Sequence, residues 1–247
     1  MLASIVPSLV RVLAAIRKTS SGAIELTFKS GSRTIVRTHD AVILAIPFTV
    51  LRTVQMDSNL GVPPRKMSAI GNLGFGSVSK LMVGFDSRPW AAQGSNGVMY
   101  SDLPNLGLCW ETNPTRASNS RAILTDNAGG MRGSNIDPSM LQSETLRFLT
   151  DLEAAIPGVL AAASRGPRGE LVAHLQNWTI EPYTRGHCSS YRSGQFTSIA
   201  GTEGTPVGNI YFAGEQTMLF DQWRETMEGA ALSGVRAADA IRRDAGH

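Results

Sequence analysis

The strongest constraint in this sequence is an unbroken apolar run, Ala41-Val42-Ile43-Leu44-Ala45-Ile46, which follows Asp40 and stops at Pro47. A strand of that kind offers no polar side to water, so it suits a sheet covered on both faces. Its surroundings carry different signals. Residues 23–29 alternate, with Ile24, Leu26 and Phe28 on one side and Glu25, Thr27 and Lys29 on the other, the pattern of a half-buried strand. Ser30-Gly31-Ser32 turns the chain, and residues 33–38 pair back as a hairpin.

Beyond the proline-rich break at 61–64, residues 65–73 predict a short helix. Strands are expected near 77–85, 98–102, 106–111, 122–126 and 171–178, with a glycine-rich loop at 127–135. Asp137-Pro138 reads as N-cap and first helical position. Leu141, Thr145, Phe148, Leu149, Leu152 and Ile156 follow at helical spacing, until Pro157-Gly158 stops the helix. A short strand at 209–213 and a helix at 225–243 come last. The order predicts a mixed α/β (α+β) protein whose first and last segments belong together around an inserted middle.

Composition narrows the function classes. With 25 glycines in 247 residues the chain is turn-rich, and its 42% hydrophobic content excludes a disordered segment. A formal net charge of +3 without a long basic run gives no reason to expect a nucleic-acid partner. No apolar stretch approaches the roughly 18 residues of a membrane span. Cys109 and Cys188 have no metal-ligand spacing and fit a reducing, cytoplasmic setting. Residues 1–16 have no basic start or cleavage site, so no signal peptide is read there.

Three features could carry chemistry. Lys80 interrupts the apolar strand 78–85, whose two faces are both mostly apolar; lysine is rarely buried unpaired, so it either serves a site or snorkels from an edge strand. Ile210-Tyr211-Phe212-Ala213-Gly214-Glu215 is a short strand ending in glycine and a carboxylate. A helix follows, near Thr226-Met227-Glu228-Gly229-Ala230. Ligands sit beyond the carboxyl ends of such strands, free amides at a helix start favour negative charge, and Gly229 and Ala230 leave room for something flat. A connection without a ligand fits the same spacing. Trp178, Tyr183 and Tyr191, close to His187 and Cys188, would wall a planar ligand or fill a core. His187 and Cys188 are neighbours on a strand and point apart, so they form no dyad. Gly74-Phe75-Gly76 lacks the third glycine of a dinucleotide fingerprint and precedes a strand.

Four of these stretches resemble the flavin-dependent amine oxidases, the monoamine, polyamine and L-amino-acid oxidases. They are DAVILAIPFTVL from Asp40, GSVSKLMVGFDSRPW from Gly76, NWTIEPYTRGHCSSYRSG from Asn177, and IYFAGEQT with MEGAALSGVRAA from Ile210. The resemblance implies part of an FAD-binding domain at 1–55 and 173–247, with an inserted mixed-sheet substrate domain at 56–172. It implies FAD as cofactor, no metal, and oxidation of an amine or L-amino acid to the imine by dioxygen, with release of hydrogen peroxide. Lys80 would be the catalytic residue, holding water near flavin N5. Trp178 and Tyr183 would wall the ring, Gly214 would let the backbone pass the phosphates, and Glu215 would accept ribityl hydroxyls. Thr226, Met227, Glu228 and Ala230 would form the helix start facing the ring.

The family's opening strand, glycine-rich turn and helix have no counterpart here. The chain therefore resembles the C-terminal half to two-thirds of such an enzyme, with the missing segment lost or carried by a separate chain. Three positions depart from the family pattern. The loop from Glu215 to Met227 is longer than usual, and Thr226 stands where many members place an aromatic cage residue. His187 matches the cysteine that bonds covalently to flavin in monoamine oxidases. A desaturase or protoporphyrinogen-oxidase relative, or a non-catalytic remnant binding no flavin, are the alternatives.

Overall fold

The computed structural model describes residues 11–112, 121–218 and 223–246, and the chain divides into two compact units, 1–75 with 188–247 and 76–187.

The first unit opens with β1 (Val12–Lys18), β2 (Ile24–Ser30) and β3 (Arg33–His39), an antiparallel meander with Ser30 opposite Arg33 at the expected hairpin. Ile24 and Leu26 are buried, as the alternation predicts. The apolar run supplies β4 (Val42–Leu44) and, after Pro47, the short helix α1 (Phe48–Leu51). Next come β5 (Gln55–Met56), parallel to β1, then α2 (Pro64–Asn72) and β6 (Gly74–Phe75). Val42 and Leu44 are buried, but Ile43 keeps 40% of its surface exposed. The expectation of full cover therefore fails on that side. β4 has a single strand neighbour among the described residues, which leaves its outer edge bare.

The second unit is built on a five-stranded sheet. In chain order it contains β7 (Val78–Phe85), α3 (Pro89–Ala92), β8 (Met99–Tyr100), β9 (Leu108–Glu111), β10 (Ala122–Gly129), α4 (Gly130–Asn135), α5 (Leu141–Ala155), α6 (Val159–Ala162) and β11 (Ala173–Asn177). The strand order is β11-β7-β10-β9-β8. Phe148, Leu149 and Leu152 of α5 bury against Leu81, Val83 and Phe85, and Phe85 meets Trp90 edge-on at 5.2 Å. Asp137 caps as expected, but it caps a 3-10 turn at Pro138–Met140 that leads into α5.

The glycine-rich stretch 127–135 is not a loop: it is the end of β10 and all of α4. One of its glycines, Gly133, serves close packing. A Cβ at Gly133 would overlap the Ala128 carbonyl oxygen, and the Gly133 carbonyl accepts the Ser79 hydroxyl at 2.6 Å.

The chain then returns to the first unit through β12 (Ser189–Ser190, paired with β6), α7 (Gln195–Ile199), β13 (Ile210–Phe212) and α8 (Met227–Asp244). β13 runs parallel to β4, with Ile210, Tyr211 and Phe212 opposite Val42, Ile43 and Leu44. One face of this pair joins the main core of the unit, where Phe48 meets Phe212 at 6.3 Å. On the other face Tyr211 and Ala213 pack against Ala237 of α8.

Lys66 of α2 lies inside that core, only 1% exposed. Its Nζ donates to the carbonyls of Thr202, Glu203 and Thr205 and sits 3.4 Å from the Phe212 ring centroid. Burial outweighs the nearby Glu203 carboxylate and lowers the ammonium pKa to about 7. The unfolded chain therefore binds the extra proton between about pH 7 and 10.5, and Lys66 makes stability rise with pH in that window. The slope reaches at most about 1.4 kcal/mol per pH unit. Denaturation of the wild type and Lys66→Met from pH 7 to 8.5 should show the wild type gaining on the variant as pH rises; a constant difference would refute this.

Candidate functional site

In the first unit the carboxyl ends of β4 and β13 are joined to α8 by a dense set of hydrogen bonds. The Ala213 amide donates to the Leu44 carbonyl at 3.0 Å, and Gln216 Nε2 bridges the carbonyls of Ile46 and Ala213. The Gly214 amide donates to Ser233 Oγ of α8 at 2.8 Å. Arg236, one turn further along, donates to the carbonyls of Phe212 and Thr217. Gly214 has φ 108° and ψ 159°, a conformation essentially reserved for glycine. An added Cβ would meet Gln216 Oε1 at 2.6 Å.

Glu215 is held by its own chain. Its Oε1 accepts the Ser189 amide at 2.8 Å; its Oε2 accepts the Ser189 hydroxyl at 2.8 Å and the Glu225 amide at 3.2 Å. A carboxylate offers about four acceptor positions, so one on Oε1 remains.

α8 is an 18-residue helix capped by Thr226, whose Oγ1 accepts the Gly229 amide at 3.0 Å. The Ala230 amide closes the first intrahelical bond, to the Thr226 carbonyl. The amides of Met227 and Glu228 find no acceptor among the described residues. They lie at the positive end of the helix dipole, with Met227 90% exposed. The space beside Gly229 is used by the chain itself: a Cβ there would overlap the Trp223 carbonyl oxygen.

Cys188, on the same unit, has its thiol pushed up to about 11 by burial and by Glu225 and Glu215, which keeps it protonated and unreactive near neutrality. A cleft of about 340 Å³ flanks the carboxyl-terminal half of α8, lined by Tyr211, Arg236, Ala237, Arg243 and Asp244 among others. None of the expected site residues (Lys80, Trp178, Tyr183, Gly214, Glu215, Thr226, Met227, Glu228, Ala230) lines it.

In the second unit Lys80 lies on β7, which has β10 and β11 as neighbours and is therefore no edge strand. Leu81, Val83 and Phe85 are buried on one face, while Val78, Lys80 and Met82 are half-buried on the other, so the strand is not covered equally on both sides. Lys80 stands opposite Asn127 of β10 and Gln176 of β11, with Nζ 5.6 Å from the Trp110 ring centroid. Among the described residues its ammonium makes no hydrogen bond or ion pair. Trp178 is half-buried directly after β11; its carbonyl accepts the Gly186 amide and the Thr184 hydroxyl. Tyr183 is 60% exposed. Tyr191 belongs to the other unit, so the three aromatics do not form one cluster within a unit.

Sequence reasoning missed Ser233, Gln216, Trp110 and the linked group Tyr191–Glu203–Arg224. Ser233 sits seven residues after Thr226, on the same side of α8, which is a signal that could have found it. Nothing in the pattern marks Glu203 or Arg224. Among the described residues no group of three His, Cys, Asp or Glu is placed to hold a metal ion, and no helix is long and apolar enough to cross a membrane.

Comparison with known proteins assigns the family. The sequence model for flavin-containing amine oxidoreductases matches residues 8–242. An L-amino-acid oxidase of Naja atra is 24% identical over 230 residues, covering 89% of this chain and 41% of that protein. One of Bungarus fasciatus is 25% identical over 217 residues, covering 83% and 38%. Cyclohexylamine oxidase from Brevibacterium oxydans superposes with a TM-score of 0.75 at 21% identity, over 95% of this chain and 48% of that one. Putrescine oxidase bound to putrescine gives 0.72 at 19%, over 94% and 48%. The chain thus spans about two-fifths of the length of these relatives and about half of the solved chains. It belongs to the flavin-containing amine oxidoreductase family, whose cofactor is FAD.

The first unit suits such a group. The amides of Met227 and Glu228, which find no acceptor among the described residues, are donors suited to an electron-rich ligand, in the unit where the parallel pair ends in a glycine-only kink. Gly214→Ala should cost on the order of 1–3 kcal/mol through its φ alone. Denaturant unfolding would measure this, and a variant as stable as wild type would show that the kink is not fixed.

Proposed function

We propose that this member of the flavin-containing amine oxidoreductases forms the α8-bearing and Lys80-bearing part of an FAD-dependent oxidase that converts an amine or L-amino acid to its imine with release of hydrogen peroxide. The observation that carries this reading is the pair of α8 amides, of Met227 and Glu228, that find no acceptor among the described residues, in the unit where the β4–β13 pair ends in Gly214, within a family match covering nearly the whole chain.

A bound flavin would supply the redox chemistry, accepting a hydride from the carbon beside the substrate nitrogen and giving two electrons and protons to dioxygen to form hydrogen peroxide. The chain's own residues do the rest. The amides of Met227 and Glu228, set by the Thr226 cap and followed by Ala230, favour the negative charge that the ring carries when reduced. Gly214 gives the backbone a close approach to the phosphates. Glu215 uses its remaining acceptor position for a ribityl hydroxyl and its occupied ones to hold Ser189 and the Glu225 amide. Trp178 and Tyr183 wall the ring and exclude water. Lys80, whose ammonium makes no hydrogen bond or ion pair among the described residues, holds a water and sets positive charge where dioxygen takes up electrons.

Support for a missing portion comes from β4, which has a single strand neighbour among the described residues, and from the exposed Ile43, since parallel strands are normally covered. The neighbouring strands and the pyrophosphate-binding turn are proposed to come from a further segment, on this or a separate chain.

The test is stopped-flow on the flavin-loaded protein with a panel of L-amino acids and primary amines, following flavin absorbance and peroxide. Turnover of one class with peroxide release is expected. Lys80→Met should slow reoxidation by roughly a hundredfold while leaving flavin reduction nearly unchanged. Equal slowing of both half-reactions would remove the role of Lys80, and absence of turnover on the whole panel would remove the function.

A further inference from the structure

The turn that leads into α8 is strained and held from several directions. Glu225 adopts φ 67°, the left-handed region that non-glycine residues enter at a cost of about 1–3 kcal/mol. Such a residue persists only where its surroundings fix it. Its amide is bound by Glu215, and the Trp223 carbonyl accepts the Thr226 hydroxyl at 2.6 Å while lying against Gly229.

Arg224, between these residues, reaches the opposite way. Its Nη1 donates to Tyr191 Oη and to the Met218 carbonyl, each at 3.0 Å, and its guanidinium carbon lies 4.3 Å from the Tyr191 ring centroid. Tyr191 Oη donates to Glu203 Oε1 at 2.5 Å, and the same carboxylate oxygen lies 3.7 Å from Arg224 Nη1. Glu203 is 1% exposed, and its carbonyl accepts the Lys66 ammonium at 2.6 Å. The chain of contacts therefore runs from the strained turn into the core of the unit.

Stability does not explain this arrangement. Among the described residues Arg224 Nε and Nη2 are buried without an acceptor, and leaving buried donors unpaired costs free energy that an apolar side chain would avoid. What the arrangement does provide is a single direction for the turn.

We propose that Arg224, Tyr191 and Glu203 are positioning residues that fix the Trp223–Thr226 turn and thereby the direction of the unengaged α8 amides toward the flavin. This rests on the function proposed above. They act through the turn, by the contacts named above.

The test uses Arg224→Gln and Tyr191→Phe, the second keeping the ring and its stacking in case the first does not fold. Amide hydrogen exchange on the protein should rise about tenfold or more at Glu225 and Gly229 in both variants, and stay unchanged in β2. On the flavin-loaded protein, preference for reduced over oxidised flavin should fall about tenfold, which is ~30 mV for a two-electron couple. A lower melting temperature with unchanged exchange at the turn would make the group structural only and overturn the inference. Raised exchange with an unchanged potential would overturn it as well. Wild-type protein that takes up no flavin would instead overturn the functional reading beneath it, and the positioning role with it.

Discussion

Two parallel strands cannot be closed by a tight turn, and the first unit depends on such a pair. β4 and β13 lie side by side although all of the second unit is inserted between them in sequence. The contact is thus one of high sequence separation, with a loop-closure cost that local hydrogen bonds do not repay. It is repaid by what converges on the end of β13. The Leu44 carbonyl, Gln216, Ser233 and Arg236 all bind the three residues around Ala213, and Phe212 carries both the Phe48 contact and the Lys66 ammonium. The direction of α8, and everything argued from its amino end, follows from that convergence.

The sequence made the elements legible where one physical rule acted alone. Alternation at 23–29 produced β2, and helical spacing after Asp137-Pro138 produced α5, because burial of one face decides both. The motif from Ile210 to Ala238 was legible because a strand, a glycine and a capped helix each leave a mark. The reading failed where two rules conflicted. Glycines at 129, 130 and 133 looked like loop residues on composition, yet α4 needs Gly133 to sit against the Ala128 carbonyl, and only a tertiary contact reveals that. β1 has no clean alternation, and its place beside β2 and β5 is set by partners distant in sequence. Ile43 looked fully covered because its run is apolar throughout, but cover depends on which neighbouring strands are present.

Buried charge in the first unit forms one connected system rather than isolated pairs. Lys66 meets three carbonyls from the 202–205 segment, and Glu203, within that segment, turns its carboxylate to Tyr191 and Arg224. Burial and the Glu203 hydrogen bond raise Tyr191 to about 12, which keeps its hydroxyl a donor at any ordinary pH. The second unit has a simpler counterpart: Asp126 is fully buried, raised by desolvation, and answered by Arg132, which also reaches the Asn105 carbonyl. Both systems hold a buried charge in a defined arrangement. They differ in what they arrange, since the Asp126 pair ties β10 to α4 while the Glu203 group ends on a strained turn beside the candidate site.

The two informative lysines show how such residues can be told apart without reference to any relative. Lys66 is buried and its three donors meet three carbonyls, so its bonding is complete and its function is to hold the 202–205 segment in place. Lys80 is half-buried on an interior strand, flanked by Asn127 and Gln176, and near only the face of Trp110. Among the described residues the ammonium has no protein acceptor, so its charge is not engaged in an ion pair of the fold. Sequence pattern marked Lys80 and was silent on Lys66, because an apolar strand exposes an intruder while an amphipathic helix conceals one. Among the described residues the Lys80 ammonium makes no hydrogen bond or ion pair, and that remaining bonding capacity, rather than burial, is what supports the role proposed for it.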